Sequence, residues 1–290
     1  MTMNFRGQRF ALYCASGGAD RGLAPSWLRT FCFVAALLLL TAPRPTQAAE
    51  NLPAASNLVQ RVVARAQLVA RAAQTNHYLY EKRTVTAELD DKKRVIKSTE
   101  KLYAVVLIGG LPFSRLVKVQ GHDLSAQELA KQNEREVAFR QRVTRVDLHR
   151  KTKRKEGLAT RELVDRFEFK VKKREVIEGR PTLVVTFTPR PGAPEKSMED
   201  KVFKHVFGTV WVDEEEAELT KVDASVRGPV PLGWFGAVGS LHEFQATVER
   251  SRMPNGVWMN RQSKFWVVAR KLLSTIRTKT TEESSGFRQE

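Results

Sequence analysis

Apolar residues first recur at helical spacing. Between residues 54 and 76, Leu58, Val62, Val69 and Ala73 share one face of a helical wheel, with Arg61, Arg65 and Arg71 elsewhere on it. This is an amphipathic helix that needs a sheet to lie on. Ser56 or Asn57 is the candidate cap, and Asn76 the candidate stop. The period then changes to two. His77–Leu89 is aromatic and β-branched, Asp90-Asp91-Lys92-Lys93 makes a polar turn, and Arg94–Ile108 returns as a second strand. Gly109-Gly110 turns it into a third, Leu111–Val119. Loops this short allow only antiparallel neighbours, so the segments form a meander.

Gln120-Gly121-His122-Asp123 closes that stretch, and Ser125-Ala-Gln-Glu128 is a capping box. A long polar helix follows to about Glu156, with a thin apolar stripe of Phe139, Val143 and Val146. A helix so patterned is mostly solvated. Residues 158–165 allow one further helical stretch. Strands then resume at Arg166–Ile177 and Pro181–Pro189, joined by Glu178-Gly179-Arg180. Arg190-Pro-Gly-Ala-Pro194 leads to a short helix, Ser197–Val206. Gly208–Val212 and Leu219–Val226 flank the acidic run Asp213–Glu216, read as a solvated hairpin turn. A Gly/Pro-rich loop, Arg227–Gly239, carries Trp234-Phe235. Ser240–Arg250 pairs with Val257–Val268 through Pro254-Asn255-Gly256, and Asn-Gly is a strong hairpin signal. Lys271–Thr281 is the last strand, and the tail beyond it frays. The predicted fold is mainly β with helices (α+β): about ten antiparallel strands in an unclosed barrel or curved sheet, with an N-terminal helix and a long inserted one.

The first fifty residues follow another logic. Phe31–Ala42 is an apolar block of 12 residues, preceded by Arg6, Arg9, Arg21 and Arg29 and followed by the small-x-small run Thr46-Gln47-Ala48. That order marks a secretory signal at 1–48, too short to span a bilayer comfortably. The remainder, 49–290, then forms a single domain carrying the basic helical insertion 125–156. Both cysteines, Cys14 and Cys32, depart with the signal, so the mature chain has no disulfide, thiolate nucleophile or Cys-ligated metal.

Charge acquires its meaning from that export. The chain holds 49 Lys+Arg against 32 Asp+Glu, a formal +17. Such basicity ordinarily raises nucleic acid, but export to a periplasm removes that partner. About +13 remains after cleavage, and +5 of it sits on 125–156. Along that helix Arg140, Arg142, Arg145, Arg150, Lys151, Lys153, Arg154 and Lys155 are the candidate contacts to an anionic membrane or an acidic partner.

Catalytic chemistry is not indicated, and no cofactor is called for. His77, His122, His149, His205 and His242 are scattered, with no His-x-x-x-His pair, so no metal is expected. Ser98-Thr-Glu-Lys101 has an acyl-enzyme spacing but lies in a strand. The run 213–216 lacks the alternating ligands of a calcium loop.

The positive signal is apolar. Strands such as Phe167-Glu-Phe-Lys-Val171 and Leu183-Val-Val-Thr-Phe187 alternate cleanly. A face ten strands wide exceeds what one helix covers, so the sheet either curls on itself or leaves an apolar concavity. The candidate lining for an acyl chain is Tyr80, Tyr103, Val105, Phe113, Phe169, Val185, Phe187, Trp211 and Trp258. A one-residue register change inverts such a set.

Several stretches resemble a known group. Tyr78-Leu-Tyr-Glu-Lys-Arg83 after an exported amphipathic helix, Leu111-Pro-Phe-Ser-Arg-Leu-Val117 running into His122-Asp-Leu-Ser-Ala-Gln-Glu128, Gly208-Thr-Val-Trp-Val-Asp213 and Asn255-Gly-Val-Trp-Met259 are similar to LolA/LolB-like outer-membrane lipoprotein-sorting proteins. The resemblance spans roughly 54–283 as pattern rather than strict motif. It implies an unclosed antiparallel barrel with helices at its mouth and a non-enzymatic periplasmic carrier of lipid or lipidated protein. A related domain in that group senses envelope stress, which makes an interaction module the alternative. The basic insertion is longer than those barrels need.

Overall fold

The computed structural model describes residues 51–72, 78–145, 164–193, 198–232, 239–271 and 274–289. The signal segment, residues 146–163 of the basic stretch and the Trp234-Phe235 loop lie outside the described residues.

Helix α1 spans Ala55–Ala72. It starts earlier than Ser56 or Asn57: the Ala54 carbonyl accepts from the N–H groups of Asn57 and Leu58. Strands β1 (Tyr78–Leu89), β2 (Val95–Ile108) and β3 (Leu111–Val119) form the predicted meander, and β4 (His122–Asp123) adds two residues to its edge. At Gly109-Gly110 both φ angles are positive, 57° and 71°, as the hairpin requires. Helix α2, Ala126–Arg145, opens on the predicted capping box. Ser125 N donates to Glu128 Oε2 at 2.9 Å, and Glu128 N returns to Ser125 Oγ at 3.3 Å.

The remaining elements are β5 (Phe167–Ile177), β6 (Arg180–Pro189), α3 (Met198–Phe203), β7 (Val206–Asp213), β8 (Leu219–Val226), β9 (Val230–Leu232), β10 (Gly239–Arg252), β11 (Trp258–Lys271) and β12 (Ser274–Gln289). All twelve strands join one sheet, ordered β4-β3-β2-β1-β12-β11-β10-β8-β7-β6-β5, with β9 on β10. Every described pairing is antiparallel. The two ends, β4 and β5, do not pair, so the sheet is unclosed. Register shifts fall at Leu102/Tyr103, Val171/Lys173, Trp211/Val212 and Glu249/Arg250, the mark of an inserted residue in one strand of a pair.

The last strand differs from the sequence expectation. It continues through Gln289 and pairs with β1 from Tyr78↔Gln289 to Glu88↔Thr278. Its polarity reads as a frayed tail, yet the strand lies between β1 and β11, paired with β11 as far as Glu283 and with β1 through Gln289. Arg83 reaches Glu283 at 3.5 Å, and the Tyr80 and Phe287 rings lie 5.1 Å apart. This strand joins the N-terminal meander to the rest of the sheet.

Helix α2 runs along the β3 edge. Gln132 Oε1 accepts the Leu116 N–H at 3.0 Å, Glu136 grips Arg115, and Phe139 meets Phe113 at 5.0 Å. Covering an edge strand in this way removes a template for wrong pairing. No helix among the described residues is long and apolar enough to cross a membrane.

Candidate functional site

Three successive rungs of the sheet build the site. Phe169 pairs with Phe187, which faces Gly208 and then Ala224 across the ladder. The next rung is Val171, Val185, Val210 and Val222, and the third begins Leu183, Val212. Paired residues project from the same face of a sheet, so these side chains form one apolar wall. A Cβ on Gly208 would stand 2.0 Å from the Asp223 backbone carbonyl oxygen and 2.9 Å from the Phe187 ring. Glycine is what lets the β8 backbone approach this closely and leaves room for the ring.

Helix α1 lies on this wall. Leu58 is 1% exposed and packs with Leu183, Val185 and Val212, while Val62 and Leu52 press on the same cluster. The packing is incomplete. Between Leu58, Val59 and Val62 on the helix and Phe169, Val185, Phe187, Val210 and Val222 on the strands lies a cavity of about 200 Å³. One end is walled by aromatics: Phe167 stands edge-on to Phe187 at 5.4 Å and to Phe203 at 6.2 Å. A wider groove of about 720 Å³ lies between the helix and β5, sharing Val59, Phe167 and Phe169 with the cavity and reaching Gln60, Lys170 and Arg190. A void lined by aliphatic and aromatic carbon stays dry and takes apolar guests.

Of the nine candidate lining residues, Phe169, Val185 and Phe187 are brought together around this cavity. Tyr80 and Val105 pair across β1 and β2, with Tyr103 beside Lys82, on the meander half of the sheet. Burial raises the Tyr80 and Tyr103 hydroxyl pKa values. Phe113 packs under α2. Trp211 belongs to the opposite alternation set, covered by Lys221 at 5.0 Å and bonded through Nε1 to Glu175. Trp258 donates to Glu216 at 2.7 Å. Of the basic candidates, Arg140 pairs with Glu136 at 2.7 Å and Arg142 lies over the Phe139 ring. Arg145 ends α2 with its side chain undescribed, and Arg150, Lys151, Lys153, Arg154 and Lys155 fall outside the described residues.

The sequence reading missed the strongest polar feature. The run 213–216 is solvated only at Glu215, whose side chain is 63% exposed: Asp213 is fully buried and Glu214 and Glu216 are half-buried, and just beyond the run Glu218 is 8% exposed. Arg180 binds Asp213 with both Nε and Nη2 and reaches Glu215 at 2.9 Å. Arg174 holds Glu214, and Arg252 and Trp258 hold Glu216. Two links run to the helix: Arg61 Nη2 donates to the Glu214 carbonyl at 2.7 Å, and Arg65 Nε to Glu218 at 3.1 Å. Burial pushes the Asp213 carboxyl up, but Arg180 and the backbone N–H groups of Glu215 and Glu216 outweigh it and leave it low. Arg174 lowers Glu214; at Glu216 burial opposes, and Arg252 with Trp258 prevails in the same direction. The signal for this hub was the arginine spacing on α1, which the helical wheel placed merely off the apolar stripe. Among the described residues no three His, Cys, Asp or Glu side chains gather as a metal site.

No family model matches the chain. No curated protein matches it in sequence. Among solved structures it is similar to a domain described as an outer membrane lipoprotein-sorting protein from Vibrio parahaemolyticus, at 12% identity and a TM-score of 0.34, over 80% of this chain and 93% of that one. A DUF1329 family protein from Desulfovibrio piger has 12% identity and a TM-score of 0.31, over 80% and 93%. A LolA superfamily protein from Nitrosomonas europaea has 8% identity and a TM-score of 0.27, over 82% and 94%. The unclosed antiparallel sheet with its helices is the architecture expected from the sequence. Likeness at this level says nothing of ligand, which rests on this chain's own side chains.

Proposed function

We propose that the chain is an exported, non-enzymatic binder or carrier of lipid or lipidated protein, working in the periplasm and holding an acyl chain beneath α1. The observation that carries this reading is the apolar cavity of about 200 Å³ between α1 and the wall of β5–β8. Burial of hydrocarbon contributes about 0.8 kcal/mol per CH₂, so affinity for a linear chain should rise about fourfold per added carbon until the cavity is full. In this reading the chain leaves by the groove beside β5, with its polar end near Gln60, Lys170 and Arg190, which line that groove. Titrating fluorescent fatty acids of increasing length into the purified protein tests the reading. Saturable binding that grows with length and then levels off supports it. Affinity indifferent to chain length contradicts it.

A second reading makes the protein an envelope sensor or interaction module acting through its inserted basic helix. It is favoured by the outward side of α2, where Leu129 and Val137 are 49% and 53% exposed among basic residues. Because α2 also covers β3, deletion of the helix would damage the sheet. The cleaner test reverses Arg140 and Arg142 to glutamate and asks whether partner or vesicle binding falls while fatty-acid binding persists.

A further inference from the structure

Away from the cavity, two hairpins end side by side. The turn between β1 and β2 folds over the outer face of β11 and β12: Lys93 Nζ lies 5.7 Å from the Trp266 ring centroid. Leu89, Lys93, Lys264, Trp266 and Lys279 line one shallow groove of about 470 Å³. The pairing Glu88↔Thr278 places the start of β12 beside the same turn. Three aliphatic side chains stand exposed there: Val95 at 59%, Ile96 at 67% and Ile276 at 47%. Residues 88–97 and 270–279 together hold eight basic and three acidic side chains. Two of the acids are engaged locally, Asp90 by Arg94 at 2.7 Å and Glu88 by Lys97 at 3.9 Å.

We infer that the β1–β2 turn and the adjoining described ends of β11 and β12 are a contact site for an anionic bilayer. Val95 pairs with Leu89 on the face of the groove, whereas Ile276, three residues from Lys279 in an unbroken stretch of β12, points to the other face. A rigid protein partner covers one face of such a tip, whereas a fluid bilayer surrounds both. The basic ring matches anionic headgroups at about 1 kcal/mol per residue near the surface. An indole beside a lysine suits the level where hydrocarbon gives way to water. The site is independent of the cavity reading and of α2. It gives the protein a defined orientation on a membrane.

The test uses residues 50–290, a compact unit free of cysteine. An I96C variant carrying an environment-sensitive dye is mixed with vesicles of phosphatidylcholine, with and without phosphatidylglycerol. The dye should shift to the blue only with the anionic lipid. The triple variant K92E/K93E/K279E should bind those vesicles on the order of a hundredfold more weakly, three residues at the figure above, with an unchanged melting temperature. An unmoved dye while the protein still sediments with the vesicles would overturn the proposal. So would loss of binding in R140E/R142E but not in the tip variant, or a dye that responds to polyglutamate and not to lipid.

Discussion

Arg65 of the first helix donates its Nε to the Glu218 carboxylate at 3.1 Å, and Arg250 of β10 takes the other oxygen of that carboxylate at 3.0 Å. One buried acid thus ties the helix over the cavity to the sheet beneath it. The cavity and its cover are set by different physics: apolar burial at Leu58, a hydrogen bond to a backbone carbonyl at Arg61 and charge pairing at Arg65.

E218Q should therefore loosen α1 without altering the cavity wall. Arg250, only 19% exposed, would lose its countercharge, and breaking a buried pair costs about 3–5 kcal/mol. R65A should cost at most about 1 kcal/mol, since that side chain is 34% exposed and screened. In both, dissociation of a bound fluorescent fatty acid should quicken. Stopped-flow displacement measures the rates, and urea unfolding the stabilities.

Acid should weaken the same attachment. Asp213, Glu214 and Glu216 all have carboxyl pKa values lowered by their arginine and N–H partners. A depressed folded-state value gives stability that is present above the unfolded values, about 3.9 for Asp and 4.3 for Glu. That stability is lost as pH falls through the lower folded ones. The urea midpoint should be insensitive to these groups between pH 6 and about 5, then fall steeply below about 4. In D213N the acid-sensitive part should shrink while stability at neutral pH drops.

Truncation after Thr281 distinguishes a frayed tail from a sheet member. Removing 282–290 takes away the rungs that join Tyr78–Thr84 to β12 and the Tyr80–Phe287 ring contact. The shortened protein should melt several degrees lower or fail to fold, whereas a true tail would be dispensable.

Filling the cavity should separate ligand binding from folding. V222F places a ring in the void, so stability should fall by no more than the roughly 1–3 kcal/mol of an enlarged core side chain while fatty-acid binding is lost. L58A, by contrast, removes a side chain that is 1% exposed and should cost about 2–5 kcal/mol. Denaturant melts and probe titrations on both variants check the split.

Much of the fold could be read from periodicity. The α1 stripe, the Asn255-Gly256 and Gly109-Gly110 turns and the Ser125/Glu128 box are local, and local signals survive in sequence. The alternation of Phe167–Val171 and Leu183–Phe187 was equally plain and pointed to the wall now seen. What stayed hidden depends on pairing between distant segments. Trp211 and Val210 are neighbours on opposite faces, and only the ladder to Val185 and Val222 decides which one lines the cavity. The acidic run 213–216 reads as solvated because its arginines come from α1, β5, β6 and β10. The tail from Glu282 reads as frayed because its stability resides in backbone bonds to β1, with β11 reaching only to Glu283.

The central claim is that an acyl chain occupies the space between Leu58 and the rung Val185–Val210–Val222. Native mass spectrometry of residues 50–290, incubated with a fatty acid and compared with V222F, tests it most directly. The account predicts one bound chain per protein, retained at low activation and absent from V222F. A protein that stays free of fatty acid, or a V222F variant that binds it equally well, would contradict it.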